Sequence, residues 1–407
     1  MHVAVVGAGA VGLCSAWYLK DYGLDVSVFD SARPGNGASW GNAGQILPAK
    51  AVPLSEPGNL VFALKSLLKK NSPITAPKTF DKHLLNYFRH FIINSAPQLH
   101  RVGSLSMLSL GQGAIREFEY MEQKGVTTTR NKGPFTAAFT KNLGAEKMMK
   151  ELEESEKILG QLDFETLNHN KLTAREPLLQ NKFKFGVQLN NQSYIHPPNF
   201  IENLVRHLRE HGVDIEGESK VEQISAYADS ISLEFKNGSS RKFDYVVVAT
   251  GAWLNSLTHK YGVRHPVIAG TGYSLAVDVP HQTQGMLYLP DARIATTNYG
   301  SRLRVSSFMQ MSHAGLARDP KKIAKLVSIA KKEIPDAKWS TANEFWSGGR
   351  PLSGDGKPLI GKTNHPRVYV NSGHGMWGVT LAPVSARKVA ENIVEQKPIS
   401  VDFDPLR

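Results

Sequence analysis

The chain opens on a short apolar run, His2-Val-Ala-Val-Val6, that reads as a buried strand. A glycine-rich stretch, Gly7-Ala-Gly-Ala-Val-Gly12, interrupts it. A helical pattern then runs from Leu13 to about Tyr22, and Gly23 stops it. Leu24 to Phe29, carrying Val26 and Val28, predicts a second strand, so the first thirty residues form a compact βαβ unit. Residues 31–58 are rich in Gly, Asn, Ala and Pro and read as a long loop, a length that marks a functional or disordered segment. Residues 59–125 read as helical. Leu60, Leu64, Leu67 and Leu68 follow helical spacing, and Leu105, Leu108, Ile115 and Phe118 are compatible with it. Residues 145–160 predict another helix. The stretch from Tyr194 to Gly212 carries Pro197-Pro198 and then the helical pattern of Phe200, Leu204 and Leu208. Residues 213–247 alternate like strands and end in the buried run Tyr245 to Ala249; residues 265–310 are again strand-like. A helix over Lys321 to Lys332, a short strand at Val368 to Val370 and a closing helix from Ala382 to Val394 complete the pattern, with no internal repeat.

A chain of 407 residues exceeds one ordinary compact core, so two or more lobes are expected. Hydrophobic residues at 41% and charged residues at 21% place it among folded proteins. The single cysteine, Cys14, rules out an internal disulfide and suits a reducing compartment. No secretion signal is legible, because the glycine turn cuts off Val3 to Val6, and no run is long enough to span a membrane. A cytoplasmic location follows as the expectation. The net charge of +12 admits nucleic acid, an anionic membrane or merely a basic surface. No dense Arg/Lys tract with interleaved aromatics is present, which argues against nucleic acid.

Each glycine of the first turn has a reason. Gly7 allows the tight turn, Gly9 lets the backbone approach a pyrophosphate, and Gly12 permits close packing of helix on strand. Ala10 and Val11 open the helix, whose N-terminal N–H groups favour phosphate. Asp30, followed by Ser31, closes the second strand near the offset of about 20 residues expected for an acid that binds ribose hydroxyls. This motif indicates a dinucleotide but does not choose between NAD and FAD. Two later turns favour FAD. Thr250-Gly251, followed by Trp253, ends a buried strand. Gly373-His-Gly375-Met376-Trp377-Gly378-Val379-Thr380 precedes the last helix. Three glycine turns converging on one elongated ligand fit FAD better than NAD.

Taken together, Gly7-x-Gly9-x-x-Gly12, Ser39-x-Gly-Asn42-Ala43-Gly44, Ala249-Thr-Gly-Ala-Trp253, Gly272-Tyr273-Ser274, Gly349-Arg350-Pro351, Asp355-Gly-Lys-Pro-Leu-Ile-Gly361 and Gly373-His-Gly375 resemble the D-amino-acid oxidase/dehydrogenase superfamily. The chain looks most like its bacterial D-amino-acid dehydrogenases of the small-subunit type, over essentially its whole length. The helical insert starting near Ser55-Glu-Pro-Gly58 and the ending from Lys397 to Arg407 look like that branch too.

The resemblance implies an α/β fold: an FAD-binding Rossmann-like domain with a second, mixed-sheet α+β substrate domain. The approximate division is 1–58, 145–265 and 345–407 for FAD, against 59–144 and 266–344 for substrate and helical insert. It places Ser39, Asn42, Ala43, Gly44 and the adjoining Gln45 beside the flavin and pyrophosphate, and the backbone of Val221 beside the adenine. Gly349 adjoins the same site. Arg350 would grip the substrate carboxylate, with Tyr273 near it. The chain departs from the branch in two places. Gly270-Thr271 stands where a basic residue is common. The strand after Arg304 runs Val-Ser-Ser-Phe-Met-Gln-Met-Ser-His, with Met309 and Met311 making a softer, more apolar wall.

Few protein groups are needed for amino-acid dehydrogenation, because the flavin carries the chemistry. The expected reaction moves a hydride from Cα to flavin N5, and the imine hydrolyses to a keto acid and ammonia. Arginine suits the carboxylate, since its planar fork donates two parallel hydrogen bonds. The Tyr273 hydroxyl adds a third bond or is a core tyrosine. His374 tunes the flavin or only packs, and His196 before Pro197-Pro198 reads as structural. No metal-ligand spacing is seen. Cys14, on the first helix, is poorly placed to bond the flavin, so FAD is expected to be non-covalent.

The leading expectation is dehydrogenation of a D-amino acid or a proline-like cyclic imino acid, with electrons passed to a quinone-type acceptor. The basic amphipathic stretch Leu60 to Lys70 is either a peripheral contact with the inner face of a membrane or a solvated helix. The rivals are a glycine/sarcosine-type oxidase using O2 and an FAD-binding module without turnover.

Overall fold

The computed structural model describes residues 1–61, 81–281 and 283–407, and the backbone of 74–75. Two sheets organise them. The first has six strands in the order Leu359–Lys362, Val368–Ser372, Tyr245–Val248, His2–Val6, Asp25–Phe29 and Asp214–Glu216. Its centre is parallel: Val3 to Val6 pair with Tyr245 to Val248 on one side and with Val26 to Phe29 on the other. Strands covered on both faces favour apolar residues at successive positions, which is why they read as valine-rich runs.

The helices Ala10–Asp21 and Gly378–Val394 cover one face, where Leu13, Trp17, Leu381 and Val389 join one core. The other face meets a three-stranded antiparallel sheet of Val221–Ala226, Ile231–Phe235 and Ser240–Phe243. The first helix starts at Ala10, earlier than the pattern from Leu13 predicts. Most of its length is buried, so no polar face marks its ends.

The second sheet has ten strands. Its path runs through Lys338–Ser353, Val267–Asp278, Arg302–Ser312, Ile294–Tyr299, Met286–Leu289, Asn131–Phe139, Phe185–Tyr194 and Gln45–Ile46. Phe164–Asn168 pairs with Phe185–Tyr194, and Ile74–Thr75 with Arg302–Ser312. Most pairs are antiparallel, but Met286–Leu289 runs parallel to Asn131–Phe139, so the sheet is mixed. It draws strands from both sides of the divisions expected at 145 and 345: Phe164–Asn168, Phe185–Tyr194 and the end of Lys338–Ser353 all belong to it.

The expected helical region 59–125 resolves into Lys82–Asn94, Pro97–Gly111 and Ala114–Gln123. Pro97, lacking an N–H, is tolerated at the first turn of its helix. Leu64, Leu67 and Leu68 lie outside the described residues. The helix Lys82–Asn94 lays Leu84, Tyr87 and Phe91 on Ile268, Met309, Met311 and Leu352 of the large sheet. That contact builds one wall of the site described next.

The glycine turn has no room for side chains. A Cβ on Gly12 would overlap the Gly7 carbonyl oxygen, and Gly7 itself has φ +108°. Gly12→Ala is therefore expected to cost about 1–3 kcal/mol, the usual range for overpacking. A chemical melt checks it. The control is Gly37→Ala, where a Cβ meets open space and the midpoint should not move.

Candidate active site

The first strand delivers the backbone at Gly7 to the head of the first helix. Gly7 cannot carry a Cβ, which would sit 2.5 Å from the Ala249 carbonyl oxygen, so the first turn and the Ala249-Thr250 turn lie back to back. Asp30 Oδ2 accepts from the Ala8 N–H at 2.6 Å, and Oδ1 accepts from Ala32 at 2.9 Å. Burial nevertheless lifts the Asp30 pKa above its ordinary value, outweighing those bonds. Ser31 beside it is exposed. Gly9 faces Ser39, whose hydroxyl accepts from the Ala10 N–H at 2.9 Å. A polar oxygen thus already occupies the first helical turn beside Val11, the kind of acceptor a phosphate would provide.

The loop after Ser39 is tied to both sheets. Ser274 donates to the Gly41 carbonyl at 2.9 Å, and the indole of Trp346 lies directly against Gly41. Asn42 accepts from the Gly44 N–H at 2.7 Å. The Tyr299 hydroxyl lies 3.0 Å from the Ala43 carbonyl and 2.9 Å from that of Ile195. Gln45 donates to the Thr296 carbonyl at 3.1 Å, and its own carbonyl accepts from Thr380 at 3.0 Å.

The later turns adjoin each other, the Ser372 hydroxyl donating to the Gly251 carbonyl at 3.1 Å. Gly251, Gly373 and Gly375 all have positive φ. Thr250 buries a hydroxyl with no partner among the described residues, while Trp253 is 50% exposed. Trp377 donates to the Val52 carbonyl at 2.8 Å, next to the partly exposed Met376, and Gly378 and Val379 open the last helix. Val221 starts the small sheet, buried and paired with Phe235.

Arg350 lies on the strand Lys338–Ser353 opposite Gly270 of Val267–Asp278. Its guanidinium lies flat over Gly272, where a Cβ would overlap it. A Cβ on Gly270 would overlap Met309 Sδ and crowd Leu352. Nη1 donates to the Phe308 carbonyl at 3.0 Å, and Met309 Sδ is 4.0 Å away. Phe308 sits at φ +67°, at an irregularity in the pairing of Arg302–Ser312. Among the described residues no carboxylate pairs with Arg350. Burial lowers its pKa to about 10, so it stays charged at neutral pH. A cation so placed is a ready partner for an anionic group.

Tyr273 and His374 are each held by partners of their own. Tyr273 lies on the other face of its strand from Gly272, in the core with Leu275, Val277 and Leu326. Its hydroxyl donates to Gln310 Oε1 at 3.3 Å. His374 lies 3.0 Å through Nε2 from the Ser385 hydroxyl of the last helix, and Nδ1 has no partner among the described residues. Burial pulls its pKa down to about 3, so the imidazole is neutral. His196 caps the helix Pro197–Glu210 by accepting from the Asn199 N–H. Gly349 packs on Ala269, leaving no space for a side chain.

Sequence reasoning did not single out Ser274 and Tyr299 as anchors of the 39–45 loop, nor Tyr87 and Phe91 as the core packed against Met309 and Met311. The buried Arg304 was also missed: it donates to Ser274 at 3.4 Å and to Glu344 at 3.0 Å. The signal available for all of them was their place in strand-like or helical runs, which names no partner.

The pattern of the FAD dependent oxidoreductase family (DAO) matches residues 2–392. The chain belongs to that family. FAD is its cofactor, and it is an oxidoreductase. The back-to-back turns at Gly7 and Ala249 and the acid at Asp30 fit the nucleotide half of FAD. The D-amino acid dehydrogenase of Vibrio cholerae is 28% identical over 410 residues, covering 98% of this chain and 97% of that protein. Among solved structures, glycine oxidase from Geobacillus kaustophilus superposes with a TM-score of 0.75 at 19% identity, over 99% of this chain and 97% of that one. L-proline dehydrogenase from P. horikoshii gives 0.73 at 15% identity, over 100% and 97%. These two structures share the fold of the flavoenzyme. The lone cysteine, Cys14, is buried within the first helix.

The neutral His374 makes a pH prediction. An unfolded histidine titrates near ~6.5, whereas the folded ring resists protonation down to about 3. The unfolded chain therefore gains a proton first, and stability falls as pH drops from about 6.5 towards 3. His374→Gln should flatten the loss of stability with falling pH by up to one proton, about 1.4 kcal/mol per pH unit. Chemical melts at a series of pH values measure it; an unchanged slope contradicts the assignment.

Proposed function

We propose that this flavoenzyme dehydrogenates a free D-amino acid or a proline-like cyclic imino acid and passes the electrons to a quinone-type acceptor. The observation that carries this reading is Arg350, charged, partly buried and without a carboxylate partner among the described residues. Its fork is free to take a substrate carboxylate through two N–H groups, because the Phe308 carbonyl occupies only Nη1. Met309, Met311 and Leu352 then present an apolar wall to the rest of the substrate. That wall excludes water and favours the neutral amine, since burial disfavours an ammonium. Bound FAD would supply the acceptor for the hydride leaving Cα. A primary amine yields an imine that water converts to a keto acid and ammonia; a ring amine yields a cyclic imine. The names of the Vibrio dehydrogenase and of the P. horikoshii proline enzyme support these two substrate classes, and the methionine wall suits an apolar side chain or ring.

Anaerobic substrate addition should bleach the flavin, and a quinone analogue should restore its colour faster than air does. Rapid reoxidation by air with stoichiometric peroxide would replace the dehydrogenase by an oxidase. Arg350→Ala should weaken apparent substrate affinity by the about 2–5 kcal/mol typical of truncating one member of a buried charge pair. At about 1.4 kcal/mol per decade that is roughly 30- to 4,000-fold. Arg350→Lys should recover part of it. An unchanged KM in Arg350→Ala removes the carboxylate role.

A further inference from the structure

Gly272 and Gly348 stand opposite one another in the ladder between Val267–Asp278 and Lys338–Ser353. The register is unbroken from the pair Val267 and Ser353 to the pair Ser274 and Trp346, so Trp346, Gly348 and Arg350 share one face of their strand. On that face the Arg350 guanidinium covers Gly272, and the Trp346 indole covers Gly348. A Cβ on Gly348 would overlap the indole at Cζ2 and Cη2. Cβ positions of a directly opposed pair are only about 4.5–5.5 Å apart. Indole and guanidinium therefore lie side by side over one pair of glycines.

The other side of the same ring meets the loop 39–45. A Cβ on Gly41 would overlap Trp346 at Cγ, Cδ2 and Cε3. Ser274, directly opposite Trp346 in the ladder, ties the same peptide by donating to the Gly41 carbonyl at 2.9 Å. One flat ring thus reaches from the loop to the strand that carries Arg350, and glycines at both ends make its seat. A side chain wedged between two backbones has little freedom, which is what a site held to fractions of an ångström requires.

We propose that Trp346 is a positioning residue for hydride transfer, its indole setting the separation between the 39–45 loop and the guanidinium that holds the substrate carboxylate. This rests on the function proposed above. Arg350 fixes one end of the substrate, and the loop belongs to the cofactor side; the ring is the spacer between them. Transfer needs the reacting atoms near contact, and a misplacement of about 1 Å costs on the order of a hundredfold in rate. Removing the spacer should therefore slow the transfer and leave the grip on the carboxylate in place.

The test compares FAD-loaded wild type with Trp346→Ala, Trp346→Phe and Gly41→Ala, the last of which pushes the ring off its seat and serves if Trp346→Ala does not fold. Anaerobic flavin reduction at saturating substrate should slow roughly a hundredfold in Trp346→Ala and Gly41→Ala. Binding of tetrahydro-2-furoate, measured by calorimetry, should stay within about threefold of wild type, the split expected of an interaction that acts on the transition state alone. Trp346→Phe keeps an aromatic spacer and should recover most of the rate. A merely structural role would lower the melting temperature and leave the limiting rate of the folded, FAD-loaded enzyme unchanged. The proposal is overturned if that rate is unchanged in Trp346→Ala or, where that variant does not fold, in Gly41→Ala. It is also overturned if acid binding falls as far as the rate, or if Trp346→Phe is as slow as Trp346→Ala. A wild type that no amino or imino acid reduces refutes the function instead. The spacer is then judged by the flavin spectrum, which the bound acid should perturb in wild type and Trp346→Phe but not in Trp346→Ala or Gly41→Ala; equal perturbation in all four overturns it. An acid that binds none of the four overturns both.

Discussion

A charged guanidinium among glycines, methionines and a leucine is the constraint around which the substrate side of this enzyme is arranged. An unpaired charge in such surroundings is costly unless something polar meets it. The fold answers only in part. Gly272 clears the space for Arg350, and Phe308 takes a left-handed conformation that L side chains rarely adopt, at the point where its carbonyl meets one nitrogen. The remaining donors are open to an anion from outside. On the proposed reading a carboxylate-bearing substrate would satisfy that demand, and the apolar wall beside it would select what else the substrate carries.

The cofactor side depends on a second constraint, that one loop must be held by two sheets. Residues 39–45 bond to Ala10 of the parallel sheet's first helix, to Ser274, Thr296 and Tyr299 of the larger sheet, and to Thr380 of the last helix. Arg304 braces Ser274 from behind while pairing with Glu344. The segment expected to lie along FAD is thus fixed from the substrate side as well as from the nucleotide side. If that segment holds the cofactor, substrate and cofactor share one frame.

Much of this was legible in the chain. The strand–glycine–helix–strand order at the N-terminus left few alternatives, because each glycine there has a steric reason. Arg350 was singled out by the Gly349-Arg350-Pro351 motif that the family resemblance carries. The direction of Tyr273 was not readable. Eleven of the twelve residues of Val267–Asp278 are buried, so no alternation of polar and apolar residues shows which face meets the site. The same cause hid the start of the first helix. The lobe divisions were hidden differently: Phe164–Asn168 and Phe185–Tyr194 reach the larger sheet by pairing with each other and with Asn131–Phe139, and pairing over such separations leaves no local mark. The helical insert was visible as helix, but its contact with Met309 and Met311 is a property of the folded chain.

The central claim is that Arg350 awaits a carboxylate, and binding of a substrate-shaped acid that cannot be oxidised tests it most directly. Tetrahydro-2-furoate and its primary amide have nearly the same shape and differ in charge. Titrated against the holoenzyme and followed by flavin absorbance, the acid should perturb the spectrum and compete with substrate, and the amide should bind roughly a hundredfold more weakly. Equal binding of the two, or an acid that binds without competing, would contradict the account.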